Sequence, residues 1–278
     1  MGIVFGLAAA LCWGVSDFAV TWVARRLGVV QAFFYVQLWG LLLTAVLLAL
    51  QPGAPAPTAA AWLLAAGIAL FNLAGTLLLY RSFAIGTLAL VSPIASGFAV
   101  VSALLALLAG ERPAALTLLG AALLIGGVMA VSRGQAGAGR ATLAGVPEAF
   151  GVALCFGISF WALDFVTPAL GLLWPVLAVR VLEFLCALAL LAGRRARPAR
   201  LGGNGWLLVA AAALLDTLAF VAFNLGVSSA YTTIVTALAS LFSAVTVVLA
   251  WLFLRERLAL AQWAGVAVIL LGVLLVSL

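Results

Sequence analysis

The sequence contains no histidine and no lysine, and only 7% of its 278 residues are charged. Without histidine there is no Ser-His-Asp triad, no His-rich metal site and no histidine proton relay. Without lysine there is no Schiff-base amine and no P-loop cation. Soluble domains carry about 25% charged residues. Here 68% of the chain is hydrophobic and the mean hydropathy is +1.36. A soluble globular fold is excluded, because too little polar surface is available to face water. The three cysteines, Cys12, Cys155 and Cys186, lie in apolar runs and form no CxxC pattern. No cofactor or metal is expected.

All 13 basic residues are arginine, giving a net charge of +6 and a pI near 10.3. The arginines sit between apolar runs, so they read as membrane-surface anchors and not as a nucleic-acid footprint. The N-terminus has no basic residue before an apolar run of more than 20 residues, and Arg25 and Arg26 follow it. It reads as a retained first span, not a signal peptide.

Ten apolar runs are present, at 2–24, 29–50, 60–80, 87–109, 114–131, 149–167, 172–192, 206–226, 230–254 and 258–278. A helical span needs about 20 apolar residues, whereas barrel strands are about ten long with alternating polarity. The predicted fold is an all-α integral membrane protein with ten transmembrane helices. Breaks such as QPGAPAP at 51–57 and GRRARPARLGGNG at 193–205 carry loop chemistry. Eleven arginines fall in the odd-numbered loops and only Arg112 in an even one. The positive-inside rule therefore places both termini outside the cytoplasm. The expectation is a multi-pass protein of a prokaryotic plasma (inner) membrane.

The chain repeats itself. ALCWGVS at 10–16 matches ALCFGIS at 153–159, and AWLL at 61–64 matches GWLL at 205–208. Glu111, Gly120, Gly127 and Ser132 recur with the same spacing as Glu256, Gly265, Gly272 and Ser277. The offset stays between 143 and 145, which points to one duplicated unit. The predicted units are 1–134 and 146–278, joined by a cytoplasmic linker at 135–145. Five spans in each unit force opposite orientations, hence two five-helix inverted-topology repeats. Secondary transporters are built this way, with the binding site near the midplane between the halves.

These marks carry a family resemblance. The WG step at Trp13 and Gly14 repeats as Phe156 and Gly157, and Pro93 stands 18 residues before Glu111 of a GER turn at 110–112. RER at 255–257 repeats that turn, and a glycine-spaced helix follows each. Over its whole length the chain resembles the ten-span branch of the drug/metabolite transporter superfamily, the EamA family. Within that family it is most similar to the YddG-type exporters of aromatic amino acids and related metabolites. The resemblance implies a central cavity between spans 1–4 and 6–9, with spans 5 and 10 as outer buttresses. It also implies export of a small-molecule substrate (an amino acid or metabolite) by a protein that is not an enzyme, with the lipid bilayer as its surroundings. Leu238 replaces Pro93 in the second unit, so a proline hinge would be one-sided. Span nine lacks basic residues, which argues against phosphorylated substrates. The oligomer is expected to be a monomer or homodimer.

Ionisable and polar residues within spans are the candidates for the site. Asn72 and Asp216 are repeat equivalents near mid-span. They either bind substrate or clasp helices together, and Asp216 is also a candidate proton carrier. Trp13 and Asp17 share one face of span 1. They serve as substrate contacts, or else Trp13 packs and Asp17 is neutralised by Arg25 or Arg26 near the inner mouth. Phe156 carries the Trp13 argument by repetition. Trp161 and Asp164 lie toward the outer end of span 6, as interfacial residues or else as a substrate contact (Trp161) and an outer gate (Asp164). Arg180 and Glu183, three apart, form a structural ion pair or a receptor for a substrate carboxylate. Gln37 is the repeat counterpart of Arg180. Tyr80, Asn224 and Tyr231 are candidate hydrogen-bonding groups of the cavity wall. Pro93 is the candidate hinge. The glycines at 120, 127, 265 and 272 suit close helix packing. Rival readings are an exporter of drugs, hydrophobic cations or nucleosides, and a lipid flippase or intramembrane enzyme. An enzyme would need two carboxylates within hydrogen-bonding range.

Overall fold

The computed structural model describes residues 2–50, 58–110, 115–116, 119–120, 122–123, 126–127, 143–195, 197–199, 201–229, 232–256 and 260–276. The described chain is helical in every regular element. The helices are α1 (Gly2–Leu27), α2 (Val29–Leu50), α3 (Ala59–Ile85), α4 (Leu88–Ala95), α5 (Phe98–Leu108), α6 (Val146–Leu170), α7 (Trp174–Gly193), α8 (Gly203–Ser229), α9 (Thr232–Ser240), α10 (Phe242–Leu249) and α11 (Leu260–Val276). Six of them, α1, α2, α3, α6, α7 and α8, are long and apolar enough to cross a membrane. Leu- and Ala-rich runs favour helix intrinsically, and hydrocarbon demands that each span satisfy its own backbone groups.

Local chemistry sets the ends. Gly28 (φ 86°) adopts the left-handed conformation that reverses the chain between α1 and α2. Thr58 caps α3, its hydroxyl accepting from Ala61 N at 3.3 Å. Proline stands in the first turn of α6 and of α7, where its missing N–H has no helical partner to lose.

Two apolar runs expected as single helices are each divided in two. The run at 87–109 breaks between α4 and α5, and the run at 230–254 breaks between α9 and α10. Pro93 lies inside α4, and Ser96 returns its hydroxyl to the Pro93 carbonyl at 2.7 Å. The second break forms without a proline. At both, the backbone tightens into i→i−3 bonds: Gly97 to Ile94 and Val100 to Gly97, then Leu241 to Leu238 and Ala244 to Leu241. Each residue of the second set lies 144 positions after its counterpart in the first, so this register pairs Leu238 with Ile94 and sets Ala237, not Leu238, at the place of Pro93. The discontinuity is therefore two-sided, with a proline beside only one of the two breaks.

In the bundle α1 packs along α8, α3 along α6, and α2 against α7. The half-helices α9 and α10 lie on α1, while α4 and α5 lie on α6. Glycine makes these crossings close. A Cβ on Gly14 would fall 2.5 Å from Val245 Cβ and 2.8 Å from the Phe242 carbonyl oxygen. A Cβ on Gly157 would collide with Val101 and come 3.0 Å from the Phe98 carbonyl oxygen. A Cβ on Gly127 would fall 2.8 Å from Ile269 and 2.9 Å from the Gly265 carbonyl oxygen.

Candidate functional site

Polar side chains within a helix bundle gather where they can satisfy one another. Here they gather around one cavity of about 60 Å³, room for a few water molecules. Its walls come from α1, α3, α6, α7 and α8, with single residues from α2, α5 and α10. Trp13, Asp17, Asn72, Tyr80, Phe156, Arg180, Glu183 and Asp216, singled out from the sequence, all line it.

Arg180 organises the floor. It is almost fully buried, and its Nη2 forms an ion pair with the Asp216 carboxylate. Its Nη1 donates to Gln37 Oε1 at 2.7 Å, while Glu183 Oε2 stands 3.6 Å away. The guanidinium carbon also lies 5.2 Å from the centre of the Phe220 ring. Arg180 thus pairs chiefly across the bundle with Asp216, and Glu183 on its own helix is the more distant partner. The other Asp216 oxygen accepts from Trp13 Nε1 at 3.1 Å. Asn72, the repeat equivalent of Asp216, faces the same cavity and makes a long contact of 3.5 Å with Thr76.

Asp17 is different. Only 8% of it is exposed, and its Oδ2 is buried without a hydrogen-bond partner among the described residues. Arg25 and Arg26 do not neutralise it. Arg25 bonds the Phe83 and Gly86 carbonyls and Glu256, and the Arg26 guanidinium stacks 3.4 Å over the Trp22 ring.

The remaining wall is aromatic. Trp13 meets Phe160 and Phe220 edge-on, with centroids 5.7 and 5.3 Å apart. Phe98 and Phe242 stack at 6.2 Å where the two broken runs meet. Ser16, Thr76, Phe98, Phe160, Phe220 and Phe242 also line the cavity, and sequence reasoning did not single them out. Helical spacing could have found three: Thr76, Phe160 and Phe220 each lie four residues after Asn72, Phe156 and Asp216.

Other candidates lie elsewhere. Asn224 ties Nδ2 to the Leu172 carbonyl at 2.7 Å and does not reach the cavity. Trp161 packs edge-on against Phe165 at 5.0 Å. Pro93 is buried outside the lining. The Asp164 side chain and Tyr231 fall outside the described residues. No group of three or more potential metal ligands occurs among the described residues.

At the arginine-bearing end a second polar cluster joins four chain segments. The run after α10 closes as a π turn, Ala250–Leu254, and Arg255 takes the left-handed conformation (φ 53°). That reversal aims Glu256 at the start of α4. Its Oε2 accepts from Ala89 N at 2.9 Å, satisfying a helix-start donor, and its Oε1 pairs with Arg25 at 3.0 Å. Arg81 and Glu148 form a further ion pair at 2.9 Å, between α3 and α6.

Long apolar helices around a buried charged cavity define a multi-pass membrane protein of transporter type. The chain belongs to the EamA-like transporter family, whose model matches residues 1–133 and 143–278. A solved structure titled only "Crystal structure of protein" shares the fold. It has a TM-score of 0.70 and 18% identity, over 99% of this chain and 96% of its own. No curated protein matches the chain.

Proposed function

We propose that the protein is a gradient-driven secondary transporter whose substrate occupies the cavity between two inverted five-span units, 1–134 and 146–278, joined by a linker at 135–145. The observation that carries this reading is the convergence of mid-helix polar groups from both units on one buried cavity. Family membership supports small-molecule transport as the activity.

Repeat-related contacts support two inverted units. Ser102 donates to the Gly157 carbonyl at 2.8 Å, and its equivalent Thr246 donates to the Gly14 carbonyl at 3.2 Å. Ser16 and Ser159 likewise donate to the equivalent carbonyls of Ala212 and Ile68. Two pairs of equivalents touch each other, Gln37 with Arg180 and Phe98 with Phe242. Residues that meet their own equivalents lie on an axis relating the halves, and that axis runs through the cavity.

The ten apolar runs support ten spans, here assigned to a prokaryotic inner membrane, and the arginine distribution supports both termini on the non-cytoplasmic side. Broken helices flanking the cavity suit rocking of one half against the other. The cargo is an amino acid, aromatic ones included, or a related small metabolite moving outward, as in the YddG-type branch. An aromatic wall suits a planar apolar body.

The intramembrane-enzyme reading requires a carboxylate dyad. Asp216 spends its two oxygens on Trp13 and Arg180, and among the described residues no hydrogen bond joins it to Asp17. The test is uptake or counterflow in proteoliposomes with a panel of amino acids, nucleosides and hydrophobic cations. Movement of at least one class above protein-free vesicles is expected. Movement of none under any gradient would overturn the proposal.

A further inference from the structure

The charge inventory of the cavity narrows the cargo. Its described lining holds three carboxylates, Asp17, Glu183 and Asp216, and one guanidinium, Arg180. That guanidinium is committed to Asp216 and Gln37, with Glu183 at 3.6 Å. A substrate carboxylate entering here would find its natural receptor occupied and acidic groups around it. Displacing Asp216 from Arg180 would strand a partly buried anion and break the ion pair of the buried guanidinium, which is costly.

Asp17 points the other way. It is more than nine-tenths buried, and one oxygen has no hydrogen-bond partner among the described residues. Both arginines that follow it on α1 are engaged elsewhere. A buried acceptor of this kind is completed by a donor carrying positive charge. Trp13, one turn before Asp17, and the Phe156, Phe160 and Phe220 rings supply π faces in the same cavity. Such faces attract ammonium groups as well as aromatic bodies.

We infer that Asp17 is the receptor for a substrate ammonium group, and that of the cargoes proposed above the favoured one is the related metabolite, an amine-bearing organic cation with an apolar or aromatic body, over an amino acid with its carboxylate. This rests on the reading of the cavity as a transport site. At about 60 Å³ the cavity must widen to admit such a molecule, a change that separation of the two halves provides.

The experiment compares three molecules that share an indole ring and differ in charge: tryptamine (cation), tryptophan (zwitterion) and indole-3-propionate (anion). Equilibrium binding to the full-length protein in nanodiscs at pH 7 is measured by calorimetry, with counterflow in proteoliposomes alongside. Tryptamine is expected to bind about tenfold or more tightly than either other molecule, the effect of one charge-assisted contact. Asp17→Asn should remove that advantage, and Asp17→Glu should retain part of it. Asp17→Asn should melt no lower than wild type, since the carboxylate has no internal cation to lose. Equal or tighter binding of tryptophan or indole-3-propionate would overturn the ammonium receptor, as would unchanged tryptamine binding by Asp17→Asn. If tryptophan is exchanged without preference for amines, the transport reading stands and this inference falls. If no member of the series binds or moves, both fall for this cargo range. The comparison of the three molecules on wild-type protein decides the matter even if the variants fold poorly.

Discussion

Trp13 donates its indole N–H to Asp216 at 3.1 Å, tying the middle of α1 to the middle of α8 across the cavity. The bond joins the first half of the chain to the second and holds the carboxylate that pairs with Arg180. Trp13→Phe keeps most of the ring packing and removes the donor. A lost bond to a charged group costs about 1.5–3 kcal/mol. The variant is therefore expected to melt at a lower temperature in detergent, with altered substrate affinity. Unchanged melting and affinity would show that the bond carries no weight.

Arg180 is the one guanidinium of the described cavity lining and neutralises buried acid on two helices. Breaking a buried pair from one side costs about 3–5 kcal/mol, because a charge is left uncompensated. Arg180→Gln should be strongly destabilised. Adding Asp216→Asn should recover much of the loss, although both variants should be poor transporters. Thermal melts of the two singles and the double, read as a mutant cycle, check this coupling.

The close crossings of α1 with α10 and of α6 with α5 depend on Gly14 and Gly157. Alanine at either site forces the backbones apart and should cost about 1–3 kcal/mol, the usual effect of overpacking. Val245→Ala should partly rescue Gly14→Ala, and Val101→Ala should partly rescue Gly157→Ala. Failure of both rescues would place the cost of the glycine variants elsewhere.

These contacts show how much was readable from the sequence alone. The WG and FG steps were visible as repeats, and the helical runs followed from length and composition. The four charged residues of the described cavity lining could also be found, because a charged residue in the middle of an apolar span has few other places to go. The partner of Arg180 was harder to see. Glu183 is near in sequence and on the same helix face, whereas Asp216 becomes a neighbour only when α7 and α8 pack around a common cavity. The break near Leu241 was also hidden. Leu238 and its neighbours are good helix formers, and the backbone departs from the α-helix there for a tertiary reason, at the position that meets α5.

Glu256 caps the start of α4 through Ala89 N and pairs with the partly exposed Arg25. An ion pair of this exposure contributes at most about 1 kcal/mol, so Glu256→Ala should change overall stability little. It should nevertheless leave the Ala89 N–H without its acceptor. Hydrogen exchange in a peptide spanning 86–92 is expected to quicken, and protection equal to wild type would contradict the capping role.

The proposed orientation, with the C-terminus outside the cytoplasm, rests on the arginine distribution. A C-terminal alkaline phosphatase fusion is expected to be active and a green fluorescent protein fusion dark. The reverse pattern would invert the proposed orientation.

Transport through the central cavity is tested most directly by filling it. Thr76, on the wall one turn beyond Asn72 in α3, is replaced by tryptophan, and Leu70, exposed on the outer face of the same helix, is replaced by tryptophan as the control. Counterflow of labelled cargo is then measured in proteoliposomes, with aromatic amines and amino acids both tried. Wild type and Leu70→Trp should exchange cargo well above protein-free vesicles, while Thr76→Trp should fall to their level though folded. Exchange by Thr76→Trp at the wild-type rate, or by no form of the protein with any cargo, would contradict passage through this cavity.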